Sequence, residues 1–108
     1  MANSLVAIAN GQTALELGLA GVRVEEAREP RDAEKVLEGL LESDAQMVIV
    51  QEDFRGKFSE WFENRLARHG GLPLVIYCPA FDQEDAGTDA YINAIVRPAV
   101  GFEIRLDT

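Results

Sequence analysis

The sequence predicts an α/β fold in which a parallel sheet of about four strands is flanked by helices. Short apolar runs alternate along the 108 residues with longer segments of helical periodicity. Most of these runs are nearly continuous, which is typical of strands buried on both faces of a parallel sheet. Right-handed crossovers would join such strands through the helices. The order β-α-β-α-β-α-β-α therefore predicts a small Rossmann-like or flavodoxin-like domain with a C-terminal helix and tail.

The first strand is predicted at Ser4–Ala9, a short and nearly continuous apolar run. The segment after it, QTALELGLAG, predicts a helix with Leu15 and Leu19 on one face and Gly21 at its end. The stretch 22–27 follows and alternates apolar and charged residues, which indicates a half-exposed strand near an edge of the sheet.

The second helix has the clearest periodicity, and Pro30 suits its first turn. Its apolar positions recur at helical spacing: Ala33, Val36, Leu37, Leu40 and Leu41. Ala45–Val50 predicts another buried strand. The third helix is expected to follow directly, with Asp53 as its N-cap. Its apolar face would be formed by Phe54, Phe58, Trp61, Phe62 and Leu66.

The last third of the chain begins with a predicted buried strand at Leu72–Pro79, flanked by prolines. An acidic loop separates it from a helix predicted at Ala90–Val96, and Phe102–Leu106 is expected to be a short strand or extended tail. We predict one domain over residues 1–108, with an α/β core at about 1–80 and a C-terminal helix and tail at 88–108.

Composition excludes several classes of function. The formal charge is −9, which disfavours binding to nucleic acid and suits docking on a basic protein surface. No run approaches the roughly 20 apolar residues of a membrane span. The single cysteine excludes an intrachain disulfide and fits a reducing compartment.

The glycines do not form a phosphate-binding loop. Only Gly11 directly follows the first strand, whereas a dinucleotide fingerprint needs three spaced glycines there, and no Walker pattern is present. Gly18 and Gly21 come later in the helical segment. We expect them to allow close packing and a tight helix exit.

Asp53 stands where a phospho-accepting receiver domain keeps its aspartate. A receiver also needs acidic residues after the first strand to hold Mg²⁺, and Asn10 and Gln12 are neutral amides. No lysine follows the fourth strand. A helix cap is therefore the favoured interpretation of Asp53, and a degenerate receiver domain is the alternative.

Neither the cysteine nor the histidine predicts a reactive or metal site. Cys78 has no predicted helix N-terminus or cationic neighbour to stabilise a thiolate, and His69 suits the last turn of the third helix. The acidic loop lacks the spacing of an EF-hand. The sequence thus predicts no catalytic, cofactor or metal residues, although a flavodoxin-like nucleotide or flavin binder is a further alternative. Part of the aromatic stripe is a candidate docking surface.

Several short motifs follow one another nearly end to end. They are VAIANGQTALELGLAGV, with Thr13 and the run Leu19-Ala20-Gly21-Val22; MVIVQEDFRGKF, with Glu52; the prolines Pro73 and Pro79; and INAIVRPAVGFEIRL, with Ala99-Val100-Gly101. In the order and spacing of these motifs the chain resembles the F subunit of the V-type and A-type rotary ATPases and ATP synthases.

This resemblance implies a non-catalytic, cytoplasmic subunit attached to the membrane only through its complex, without direct membrane insertion. It implies binding to the coiled-coil axle, the D subunit, and contact with the catalytic head, where the C-terminal helix modulates ATP hydrolysis. Carried onto this chain, the partner-binding face of that helix would be Ile92, Ile95 and Val96. The same three residues would equally suit covering the domain's own sheet.

Overall fold

A computed structural model describes residues 5–79, 92–96 and Pro98. Within these residues the chain alternates strands and helices, as the apolar pattern predicts. The elements are β1 (Leu5–Ala9), α1 (Gly11–Leu19), β2 (Arg23–Glu26), α2 (Pro30–Leu41), β3 (Met47–Gln51), a 3₁₀ turn (Glu52–Phe54), α3 (Glu60–Ala67), β4 (Leu74–Cys78) and a π-helical turn (Ile92–Val96).

The four strands form one parallel sheet in the order β2-β1-β3-β4, which confirms the predicted fold class. β1 and β3 lie in the centre, and every residue of β1 is buried. β2 lies at an edge, as its alternating pattern indicates. β4 lies at the other edge of the described sheet, so the expectation that it is fully buried is wrong. Its first residue, Leu74, is exposed, because an edge strand is covered less completely than a central one.

The two faces of the sheet are covered by different elements. On the first face, Leu17 of α1 and Val96 of the π-helical turn pack with strand residues that include Ala7 and Ile49. On the second face, α2 and α3 pack against alternate residues of the same strands. Because successive side chains of a strand point to opposite faces, each central strand contributes to both cores.

The end of α1 is closed by a pair of backbone hydrogen bonds. The N–H of Val22 donates to the carbonyl of Leu17 at 3.1 Å, and the N–H of Gly21 donates to that of Gly18 at 3.1 Å. Gly21 has φ of +98°, a conformation that disfavours side chains. These features define a Schellman motif, and Val22 and Leu17 make its apolar contact in the first core. The predicted helix exit at Gly21 is confirmed.

The third helix begins later than predicted. Asp53 lies in the 3₁₀ turn, and α3 starts at Glu60 with Ser59 as its N-cap, whose Oγ accepts from the Phe62 N–H at 3.3 Å. Gly56, with φ of +75°, interrupts the helical geometry between the two. The Oγ and N–H of Ser59 also donate to the carboxylate of Glu34 on α2, at 2.9 and 2.8 Å.

The aromatic stripe is divided between core and surface. Phe54, Phe58 and Phe62 are buried in the second core, whereas Trp61 is 58% exposed. The expected acidic loop, the first residues of the predicted Ala90–Val96 helix and the Phe102–Leu106 segment lie outside the described residues. No helix in the described part of the chain is long and apolar enough to cross a membrane.

Candidate functional site

The carboxyl ends of β1 and β3 are joined by neutral amides, an arrangement we call the amide clasp. The backbone N–H of Asn10 donates to Gln51 Oε1 at 3.0 Å, and Asn10 Nδ2 donates to the carbonyl of Ala27 at 2.9 Å. Gln51 Nε2 donates to Asp53 Oδ2 at 2.9 Å. Gln51 is buried. The clasp links three adjacent strand ends, and both the oxygen and the nitrogen of the buried Gln51 amide take part in hydrogen bonds.

Ligands of open α/β sheets bind at this edge, so the clasp bears directly on the function. Asp53 accepts from Gln51 rather than capping a helix, which makes its predicted role as the N-cap of the third helix wrong. Its carboxylate accepts a hydrogen bond from that amide, and Asn10 and Gln12 are neutral where a receiver site holds Mg²⁺ with carboxylates. In residues 5–79, 92–96 and 98, no three His, Cys, Asp or Glu side chains come together as a metal site. The sequence shows two amide residues, Asn10 and Gln51, at the ends of predicted strands. It does not show that these two residues hydrogen-bond to each other.

The surroundings of Cys78 and His69 favour structural roles over reactive ones. Cys78 is buried, and burial followed by the charges of Glu52 and Asp53 raises the pKa of its thiol to about 12. A thiol with this pKa is protonated at neutral pH and is a poor nucleophile. His69 Nε2 lies 2.8 Å from the carbonyl oxygen of Pro73, so this nitrogen donates to the backbone just before β4.

The first face of the sheet carries an open groove between α1 and β2, which we call the α1 groove. Its volume is about 480 Å³. It is lined by Gly11, Ala14, Leu15, Gly18, Leu19, Val22, Val24 and Glu26. Leu15 is 55% exposed and Leu19 is 79% exposed. Two large apolar side chains one turn apart on a helix are thus largely uncovered by the described residues.

Leu15 and Leu19 share one face of α1, as predicted, whereas the expectation that Gly18 allows close packing within the domain is wrong. The buried residues of the helix are Thr13 and Leu17, whereas Leu15 and Leu19 point outwards. A Cβ built on Gly18 would meet no described atom within 4 Å, so close packing inside the domain does not explain this glycine. Periodicity alone could not show which face of α1 is buried. The pair Thr13 and Leu17 and the pair Leu15 and Leu19 both have the i, i+4 spacing of a helical face.

The three residues predicted to contact a partner have different surroundings. Val96 is fully buried in the first core, beside Leu17 and Cys78. Ile95 is 37% exposed. The side chain of Ile92 lies outside the described residues. In this conformation the segment covers the domain's own sheet through Val96 and presents Ile95 at the surface.

Comparisons with known proteins agree on one family. Residues 5–96 match the model of the ATP synthase (F/14-kDa) subunit family. The chain is 27% identical to the F subunit of the V-type ATP synthase of one strain of Thermus thermophilus, over 104 residues that cover 94% of the chain and all of the relative. The protein of the same name from a second strain of this organism matches with the same identity and coverage. The match includes every strand and helix described above.

Proposed function

The chain belongs to the ATP synthase (F/14-kDa) subunit family, and from this premise we propose that it is a non-catalytic central-stalk subunit of a V/A-type rotary ATPase. In this role it binds the coiled-coil axle, the D subunit, and modulates ATP hydrolysis coupled to ion transport. The observation that carries the proposal is the family match over residues 5–96. The two Thermus thermophilus relatives, each named as the F subunit of a V-type ATP synthase, are matched over their whole length.

The chemistry of the strand ends supports the non-catalytic part of the proposal. The edge where α/β enzymes bind substrates carries a hydrogen-bonded amide clasp, with Gln51 buried. Asp53 is held by that amide, and the thiol of Cys78 is buried with a raised pKa. None of these groups is arranged as a nucleophile with its base.

We propose that the C-terminal segment contributes to partner binding through Ile92, Ile95 and Val96. Ile95 is already at the surface. Val96 would join the contact only when the segment leaves the first core, because it is fully buried there. Movement of this segment would then exchange a contact within the domain for one with the axle or the catalytic head. The protein would act in the cytoplasm, at the membrane only through its complex.

The test is reconstitution with the subunits of the rotary ATPase from the source organism. The full chain, co-produced with the axle subunit, should elute from a sizing column as a stable complex and show no ATP turnover. Adding the chain to a complex of catalytic head and axle should change the rate of ATP hydrolysis. Separate elution of the two proteins, with an unchanged hydrolysis rate, would contradict the proposal.

A further inference from the structure

The outward face of α1 differs in character from that of α2. The nine residues of α1 include a single charged side chain, Glu16, whereas α2 exposes Arg31, Asp32 and Lys35 to solvent. Leu15 and Leu19 instead form an apolar ridge along the exposed side of α1. Contiguous exposed apolar surface, unlike a single exposed apolar side chain, is characteristic of sites that bind a protein or a ligand.

Gly18 lies in this groove, between the positions of the two exposed leucines. A glycine inside a helix destabilises the helix relative to an alanine. No described atom lies within 4 Å of a Cβ built on Gly18, so packing within the described structure does not require a glycine here. With Ala14 one turn before it, Gly18 gives the groove a floor of small residues. Ridges of a second helix can pack into a floor of this shape at short interaxial distance.

The surroundings favour a helix over the other occupants of such a groove. A strand added to the sheet would pair with β2, but β2 has only four residues and carries Arg23, Glu25 and Glu26, and short charged edges resist pairing. A second copy of this chain would bring together two proteins of charge −9. An occupant that supplies apolar side chains together with positive charge would therefore complement this surface best.

Glu26 is the charged residue among those that line the groove. It marks where a positive charge of the occupant would lie. Glu26 is exposed and forms no ion pair with any described residue. A lysine or arginine beside the apolar stripe of an incoming helix would complement it.

We propose that the α1 groove binds one α-helix of a partner protein, through small or aliphatic side chains flanked by Lys or Arg. Leu15 and Leu19 form one wall of the contact, Gly18 allows close approach, and Glu26 receives the basic side chain. We assign this helix to the coiled-coil axle, and this assignment rests on the proposed function. The mode is a helix laid into an apolar groove.

The test measures the affinity of the full chain for the axle subunit of the same organism by isothermal titration calorimetry. Gly18→Leu fills the groove and should weaken binding at least about tenfold. Gly39→Leu is the matched control, because Gly39 also lies in a helix with no described atom within 4 Å of its Cβ but belongs to α2, on the other face of the sheet. Thermal melts of both variants establish that each is folded.

A charge reversal tests the second half of the proposal. Glu26→Lys should weaken binding and reduce its dependence on salt, because it removes an attraction that ions screen. Asp44→Lys changes the net charge equally at an exposed position after α2 and should leave the affinity close to that of wild type.

The outcomes distinguish a failure of the groove proposal from a failure of the proposed function. If the wild-type chain and Gly18→Leu bind the axle subunit equally, the groove is not the contact, and the proposed function stands. If the wild-type chain does not bind the axle subunit, the proposed function is contradicted, and so is the assignment of the bound helix to the axle. A dimer of the isolated wild-type chain that Gly18→Leu abolishes would overturn the proposal in favour of a second copy.

Discussion

The backbone N–H of Asn10 and the side-chain oxygen of Gln51 are joined by a 3.0 Å hydrogen bond across 41 residues of sequence. The bond lies between the ends of β1 and β3, and the chain turns outwards from these two strands in opposite directions. Ligands of open α/β sheets bind at such a switch point. Here Asn10 and Gln51 are held by hydrogen bonds within the protein, which supports a structural role for the clasp.

Gln51→Leu should destabilise the domain. The substitution leaves the N–H of Asn10 without its acceptor and removes the donor to Asp53. The free energy of unfolding should fall by about 1–3 kcal/mol, measured by urea denaturation. Gln12→Leu is the control, because Gln12 is exposed on α1. Equal stability of Gln51→Leu and wild type would show that the clasp contributes nothing.

Asp53 should not accept a phosphoryl group. Its carboxylate is hydrogen-bonded to Gln51 Nε2, and Asn10 is neutral where a receiver would hold Mg²⁺ with a carboxylate. Incubation with acetyl phosphate and Mg²⁺ should leave the intact mass of the protein unchanged. A phosphorylated species that disappears in Asp53→Asn would contradict this and restore the receiver interpretation.

The amide clasp also shows what the sequence could predict. Apolar runs were sufficient for the strands, because burial on both faces imposes a continuous pattern on β1 and β3. The neutral residues Asn10 and Gln12 already argued against a receiver site. The hydrogen bond from Asn10 to Gln51 was not predictable, since it depends on the order of strands in the sheet.

Two features of the helices could not be read from local pattern. Asp53 and Ser59 are both good N-cap residues, and the backbone at Arg55 and Gly56 together with the cap hydrogen bond of Ser59 shows that the second one starts α3. Likewise, Leu15 and Leu17 belong to alternative faces of α1, and the sheet buries Leu17. The exposure of Leu15, and with it the α1 groove, follows from tertiary packing.

The thiol of Cys78 should be unreactive in the native protein. Burial raises its pKa to about 12, so Ellman's reagent at pH 8 should label it only after denaturation in guanidinium chloride. Rapid labelling of the native protein would contradict the buried environment.

The same pKa shift predicts the dependence of stability on pH. The unfolded thiol loses its proton above its ordinary pKa of 9.0, whereas the folded thiol keeps its proton up to about pH 12. The stabilisation from this group is therefore complete below about pH 9 and decreases as the pH rises, by up to about 1.4 kcal/mol per pH unit. In Cys78→Ala, denaturation curves between pH 9 and 12 should show a shallower decline than in wild type. Identical slopes would exclude the contribution.

Ile95 and Val96 are neighbours with opposite exposure, which gives a matched pair of substitutions. Val96→Ala should lower the free energy of unfolding by about 1–3 kcal/mol, because Val96 is buried in the first core. Ile95→Ala, at a partly exposed position, should change it by less than about 0.5 kcal/mol. Chemical denaturation of the two variants checks both values, and a larger loss in Ile95→Ala would reverse the assignment of the faces.

The most direct test of the central claim is affinity purification of the tagged full chain from cells of its source organism, with the co-purified proteins identified by mass spectrometry. The proposed function predicts the axle and the catalytic head subunits of a rotary ATPase in stable proportion to the tagged chain. Recovery of the chain without these subunits, from cells in which the rotary ATPase is assembled, would contradict its role as a central-stalk subunit.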